Sequence, residues 1–269
     1  MFSPDACAAE AAALELFRNC QQYRSARDSA GLLYLEGSRS FLQALAGKHV
    51  FEALLVSEPL MIPMVQQQVR RLKRQGVPVH RLTPEAFRAF GLQERASGIA
   101  ALLRQPWQSL HKLRPGAGQV WIALEEVRSL GNLGTLVRTA EAFGAAGFIL
   151  PGLAVDPFAP IVVRASMGAL FHQRFARCRP EAFGHWVRRH KCLVLGASPE
   201  AEKGPGVLHP TRRPIVLLLG AERSGLSEQQ RALCEQMVSI PMVGQVDSLN
   251  LSVAGSILLY ELLGRSRPG

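Results

Sequence analysis

Hydrophobic positions along this chain follow two alternating rhythms. Short apolar runs at GLLYLEG (31–37), FEALLVS (51–57), VPVHRL (77–82) and GIAALLRQ (98–105) predict strands. Between them, SRSFLQALAG (38–47), MIPMVQQQVRRLKRQG (61–76) and PEAFRAF (84–90) space their apolar residues as helices do. The rhythm breaks at PWQSLHKLRPGAGQ (106–119), where two prolines and two glycines mark a boundary. Beyond it come stronger strands: QVWIALEE (119–126), GFILPG (147–152), RFARC (174–178), CLVLGAS (192–198), PIVLLLGAE (214–222) and MVSIPM (237–242). Helices are predicted over 132–144, 158–170, 180–190, 227–235 and 250–264. Near-continuous apolar strands separated by helices predict a parallel sheet covered on both faces. The pattern therefore predicts an α/β protein in two parts. A helical extension (1–24) precedes a small α/β domain (25–105); a linker (106–118) leads to a second α/β domain (119–269).

Composition narrows the partners. The formal charge is +10, and residues 1–114 hold 15 Lys+Arg against 9 Asp+Glu, so +6 of it lies in the first part. Such a balance favours a polyanionic partner, because neutralising phosphates releases counterions. The five cysteines (Cys7, Cys20, Cys178, Cys192, Cys234) are scattered without a C-x-x-C pair, as expected of a reduced cytoplasmic chain without structural metal. His185 and His190 are five apart, on different faces of a helix, and do not suggest a metal pair. There is no apolar run long enough to span a membrane, and the N-terminal stretch lacks the basic start of a signal peptide.

Sites in open parallel sheets lie beyond the carboxyl ends of the strands, and three predicted loops there are polar and rich in glycine. In SLGNLGTLVRTAEAFGAAG (129–147), Asn132 suits a helix N-cap, and Gly134 permits close approach of a ligand or backbone. Arg138 sits on the early turns of the helix, away from the end that the macrodipole makes favourable for cations. It could serve a ligand or pair with Glu141 or Glu125; spacing does not choose. In LLLGAERSGLS (217–227) a buried strand runs into Gly220, Glu222 and Gly225, and this is neither a P-loop nor a dinucleotide fingerprint. The third loop, SIPMVGQ (239–245), leads into Asp247, Ser248, Asn250 and Ser252 at the entrance of an apolar helix. Ser248 or Asn250 can cap that helix, but not both at once, so the surplus polar groups suit a small polar ligand.

Taken together and in this order, the loops resemble the SpoU (TrmH-like) branch of the SPOUT RNA methyltransferases. The pattern N-x-G-x-x-x-R-x-x-x-x-F-G is met by Asn132, Gly134, Arg138, Phe143 and Gly144, and G-x-E-x-x-G-L by Gly220, Glu222, Gly225 and Leu226. Ile240, Pro241, Met242, Gly244, Ser248, Leu249, Asn250, Ser252 and Ala254 meet the third, and VVRASMGALF (162–171) resembles a further family segment. The first part is similar, through LLYLEGSRSFLQAL (32–45) and ASGIAALL (96–103), to the ribosomal-protein-like RNA-binding domain that many members carry. Ile161 stands where many members have a lysine.

The resemblance implies a C-terminal α/β domain with a parallel sheet and a deep trefoil knot. It implies S-adenosylmethionine in the knot, an obligate homodimer, and methylation of a ribose 2′-hydroxyl in RNA, with ribosomal RNA expected ahead of transfer RNA. The cofactor is expected among Leu219, Gly220, Ile240, Ser248, Leu249 and Asn250, with Gly220 leaving room for it. Arg138 is implied as the catalytic residue, either as base or as stabiliser of a developing alkoxide. Asn132 would orient the hydroxyl or Arg138. Glu222 would anchor the loops, reach across the dimer, or form a structural ion pair. The rival readings are an RNA-binding protein without turnover and a nucleotide-binding oxidoreductase; the second lacks the glycine fingerprint and the acidic ribose partner.

Overall fold

A computed structural model of the chain describes residues 4–204 and 211–264, with side chains from residue 8 onward. The remaining residues of the predicted domains lie outside the described residues. In chain order the elements are α1 (Pro4–Gln22), α2 (Arg24–Ala30), β1 (Leu32–Glu36), α3 (Ser38–Ala46), β2 (Phe51–Val56), α4 (Pro63–Arg74), β3 (Val79–Arg81), α5 (Pro84–Phe90) and β4 (Ile99–Arg104). They continue with β5 (Trp107–Gln108), β6 (Val120–Leu124), α6 (Leu130–Phe143), β7 (Gly147–Pro151), α7 (Pro160–Ala165), β8 (Phe175–Cys178) and α8 (Pro180–Arg189). The last are β9 (Leu193–Ala197), β10 (Ile215–Leu219), α9 (Glu228–Leu233), β11 (Gln236–Val238) and α10 (Leu251–Leu259). Contacts divide the chain into two units. One runs up to Gln105 and includes Phe158–His172; the other is Pro106–Pro157 with Gln173 onward.

The first unit has a four-stranded sheet in the order β1-β4-β2-β3. Strand β4 is antiparallel to β1 and β2, and β3 lies parallel to β2 at the edge. Phe17, Cys20, Tyr34, Leu55, Phe87 and Leu102 form a core on it. The predicted helical extension is thus an integral layer: α1 buries Phe17 and Cys20 because a bare apolar sheet face needs a cover. Residues 158–170 depart from the expected single helix. The helix stops at Ala165; Met167 (φ 54°) and Gly168 (φ 93°) turn the chain into a short 3₁₀ turn, Ala169–His172. This segment packs in the first unit, where His49 Nε2 donates to the Phe171 carbonyl at 2.8 Å. A side chain at Gly168 would put its Cβ 2.6 Å from Gln43 Cγ, so close approach and the left-handed turn both call for glycine there.

The second unit is a seven-stranded sheet in the order β11-β9-β10-β6-β7-β8-β5. Every strand pairing in it is parallel. Strands β6 and β10 are buried along all five residues, which is why they read as unbroken apolar runs. The expected linker 106–118 is not a bare connector. Trp107–Gln108 pairs with β8 as the edge strand, and Leu110 and Leu113 are buried in the core with Trp121, Phe183 and Trp186. Its prolines and glycines interrupt the periodicity that would reveal so short a strand.

Candidate active site

Strand order creates a switch point between β6 and β10. From β6 the sheet grows through β7 and β8 in one direction, and through β10 and β9 in the other. The loops that leave the carboxyl ends of these strands diverge there and leave a crevice.

The loop after β10 folds back on itself. Ala221 N–H donates to the Gly225 carbonyl at 3.0 Å and Gly225 N–H to the Ala221 carbonyl at 2.9 Å, with Gly225 at φ 65°. A Cβ on Gly220 would lie 2.3 Å from the Gly225 carbonyl carbon. The missing side chain of Gly220 thus makes room for the chain's own backbone, and Gly220 also lines the crevice as expected of a cofactor-binding position. Within this loop Glu222 Oε1 accepts a hydrogen bond from Asn132 Nδ2 at 2.8 Å, joining two motifs ninety residues apart. Asn132 is free to do so because it is not the cap. Ser129 caps α6, its Oγ accepting from Asn132 N–H at 3.4 Å, and the helix begins two residues earlier than predicted.

The loop after β11 delivers Ile240, Met242, Asp247, Ser248 and Leu249 to the crevice. Asn250, at its end, is the N-cap of α10. Its Oδ1 accepts from Ser252 N–H at 2.9 Å, Val253 N–H at 3.4 Å and Ser252 Oγ at 2.7 Å. Capping therefore falls to Asn250, and Ser248 is left exposed at the crevice. Helix α10 then lies against α6. A Cβ on Gly255 would come within 2.7 Å of Leu136 Cδ1, and Ser256 Oγ and Thr139 Oγ1 are hydrogen-bonded at 3.1 Å.

These loops enclose a cavity of about 310 Å³. Of the residues expected to bind cofactor, Leu219, Gly220, Ile240, Ser248 and Leu249 line it, and Asn250 holds the helix behind it. Glu222 lines it too; Asn132 does not, acting on it only through Glu222. Arg138 is exposed on α6, outside this lining, and makes no hydrogen bond or ion pair among the described residues. Neither suggested pairing forms there: Gln230 Nε2 donates to Glu125 instead. Sequence reasoning missed the loop after β9, where Ala197, Ser198, Pro199 and Glu200 complete the wall, with Arg231 Nη2 at 3.7 Å from Glu200 Oε2. Its signal was the small polar run at the end of a predicted strand. Among the described residues no three His, Cys, Asp or Glu gather as metal ligands, and no helix is long and apolar enough to cross a membrane.

The family model described as the SpoU rRNA Methylase family matches residues 119–260, more than half of the chain. This chain belongs to that family. It is an RNA methyltransferase, and its cofactor is S-adenosylmethionine. The cavity fits that cofactor: Leu219, Ile240 and Leu249 offer apolar surface to an adenine, while Glu200, Glu222 and Asp247 offer carboxylates to a ligand with cationic groups and a diol. An uncharacterized tRNA/rRNA methyltransferase of Archaeoglobus fulgidus is 32% identical over 74% of this chain and 85% of that one. A 23S rRNA (uridine(2479)-2'-O)-methyltransferase of Streptomyces viridochromogenes is 31% identical over 67% of this chain and 65% of its own length. The crystal structure of an AdoMet-bound rRNA methyltransferase from Sinorhizobium meliloti superposes with a TM-score of 0.87 at 29% identity, covering 95% of each chain.

Proposed function

We propose that this methyltransferase modifies a ribose 2′-hydroxyl of ribosomal RNA and works as a homodimer. The observation that carries the site assignment is the convergence of the loops after β10 and β11 on one cavity, tied to α6 by the Asn132–Glu222 hydrogen bond. The family description and the 23S rRNA activity named for the Streptomyces relative support ribosomal RNA ahead of transfer RNA. A cytoplasmic location belongs to the same proposal.

The cofactor, when bound, supplies a methyl group already activated on a cationic sulfur. What the chain must add is alignment and a way to accommodate charge on the attacking oxygen. Leu219, Ile240 and Leu249 give the cavity its apolar surface, and Ser248 contributes an exposed hydroxyl to its lining. Glu222, fixed by Asn132, holds the loop wall in place. A guanidinium is a poor base because its charge is delocalised over three nitrogens; that of Arg138 suits stabilising a developing alkoxide and gripping a neighbouring phosphate.

Arg138 stands outside the cavity of its own chain, and a second copy accounts for this. Val253 and Tyr260, seven residues apart, are 46% and 50% exposed, and Val246 in the approach loop is 64% exposed. A second copy covering this apolar face would bring its Arg138 to the cavity of the first. The deep trefoil knot belongs to the same reading; the return of the chain from β11, at the far edge of the sheet, to α10 against α6 supports it. Residues 25–105 serve as the RNA-binding domain. Mapping 2′-O-methylated nucleotides in RNA from cells with and without the gene tests the proposal. The expected result is loss of a mark in ribosomal RNA. Loss from transfer RNA would overturn the substrate, and label on a base would overturn the reaction.

A further inference from the structure

We infer that a groove on the first unit, between α4 and the edge strand β3, grips the phosphate backbone of the RNA substrate. The inference rests on the reading of the chain as an RNA methyltransferase. Helix α4 buries Val65, Val69 and Leu72, a stripe that leaves its opposite side polar. Gln67, Arg70, Lys73 and Arg74 share that side. Strand β3 contributes Arg81 to the same groove and the turn before α4 contributes Glu58, around a volume of about 750 Å³. Four cations therefore face one carboxylate, and that carboxylate is already committed: Arg81 Nε lies 3.2 Å from Glu58 Oε1.

The helix macrodipole favours cations in the last turn and accounts for Lys73 and Arg74. It does not account for Arg70, one residue before that turn, or for Arg81 on another element converging on the same space. A rise of about 1.5 Å per residue sets Arg70 and Arg74 about 6 Å apart along the helix. A row of charges so spaced suits a repeating polyanion better than a single anion, and RNA is the polyanion this enzyme must hold. Its occupancy of the groove would release counterions and make binding depend steeply on salt.

The test uses the full chain, a fluorescein-labelled RNA hairpin of arbitrary sequence, and a salt titration of its dissociation constant. The variant Arg70→Gln/Lys73→Gln/Arg74→Gln is expected to lower the slope of log K against log salt by about 2 to 3, since each phosphate contact contributes roughly 0.7–0.9. Circular dichroism and binding of S-adenosylhomocysteine check that it is folded. Arg70→Lys/Arg74→Lys should keep the wild-type slope, and so should Arg188→Gln/Arg189→Gln on α8. An unchanged slope in the triple variant, or an equal drop in the α8 variant, overturns the inference. So does a triple variant that loses binding to phosphatidylserine vesicles while its RNA slope is intact. Leu249→Arg, aimed at the cavity, should abolish S-adenosylhomocysteine binding and leave the slope alone; failure of that arm counts against the cavity assignment and not against the groove.

Discussion

Removing the amide of Asn132 should loosen the loop that walls the cavity before it affects anything else. Asn132 Nδ2 donates to Glu222 Oε1 at 2.8 Å, and both residues are half-buried. A hydrogen bond to a charged group contributes about 1.5–3 kcal/mol when shielded, and about 1–2 kcal/mol is reasonable at this partial exposure. Glu222 belongs to the short loop closed by the reciprocal Ala221 and Gly225 backbone bonds. If that loop opens as a unit, its amides exchange with solvent through local opening, and 1–2 kcal/mol corresponds to about 5- to 30-fold faster exchange. Hydrogen exchange at residue resolution on Asn132→Ala should therefore accelerate at Ala221 and Gly225 by that factor and leave the β6 amides of Val120–Leu124 unmoved. Glu222→Gln keeps an acceptor and should accelerate the same amides less. The double variant Asn132→Ala/Glu222→Ala should exchange no faster than the more severe single one, because both remove a single interaction. Independent, multiplying effects would refute the claim that these two side chains act through each other, and so would unchanged exchange at Ala221 and Gly225.

Arg138→Ala should retain S-adenosylhomocysteine affinity while methyl transfer falls at least about 100-fold, the usual cost of removing a donor to a developing anion; transfer at the wild-type rate in a tritium assay would disprove the role. Asn250→Ala should cost about 1 kcal/mol of stability through loss of the cap of α10, read as a lower urea midpoint. Ser248→Ala, which removes no cap, should leave that midpoint alone and weaken cofactor affinity. Burial pushes the thiols of Cys178, Cys192 and Cys234 up to about 11 from an ordinary 9.0. A folded pKa above the unfolded one means a contribution that is full below about pH 9 and lost as pH rises towards about 11. The denaturation midpoint should fall across that window, and fall less in Cys178→Ala; an identical pH dependence in the two proteins would contradict the assignment.

The elements that were plain in the sequence are those whose burial is simple. β6 and β10 are buried on both faces and read as unbroken apolar runs, and α4 keeps one buried stripe. The elements that were misread owe their shape to distant parts of the chain. Leu110 and Leu113 look like loop residues until Trp121 and Trp186 are packed against them. The predicted helix over 158–170 stops at Ala165 because Gly168 must nest against Gln43 and Phe171 must meet His49. At the site, residue types were legible but assignments were not. Asn132 and Ser129 are both good caps, and only the position of Glu222, ninety residues on, decides which of them is free. The loop after β9 carries only the weak signal of a small polar run after a strand, and its share of the cavity wall is fixed when strand order sets β9 beside β10.

The small residues of this site make room for backbone and helix, and this changes what the motif glycines mean. Gly220 admits the Gly225 carbonyl, and Gly255 admits Leu136 and the end of Leu219. Ser252 and Ser256 spend their hydroxyls inside the α10–α6 contact: Ser252 Oγ on Asn250, and Ser256 Oγ on Thr139 and, at 2.6 Å, on the Ser252 carbonyl. Each brings a loop or helix closer than a larger residue would permit, and the cavity is the space that remains between those close approaches. A substitution at Gly255 would therefore act on the cofactor through displacement of α10, which carries Leu251, Ala254 and Leu258 into the cavity wall. Two polar side chains mark where this frame stops: Glu222, held by an amide from the other side of the switch point, and Arg138, which the frame leaves exposed and without a hydrogen-bonded or ion-paired partner among the described residues. An unpaired guanidinium beside such a frame costs little in water, and under the function proposed above its charge would be available to the anion that methyl transfer develops.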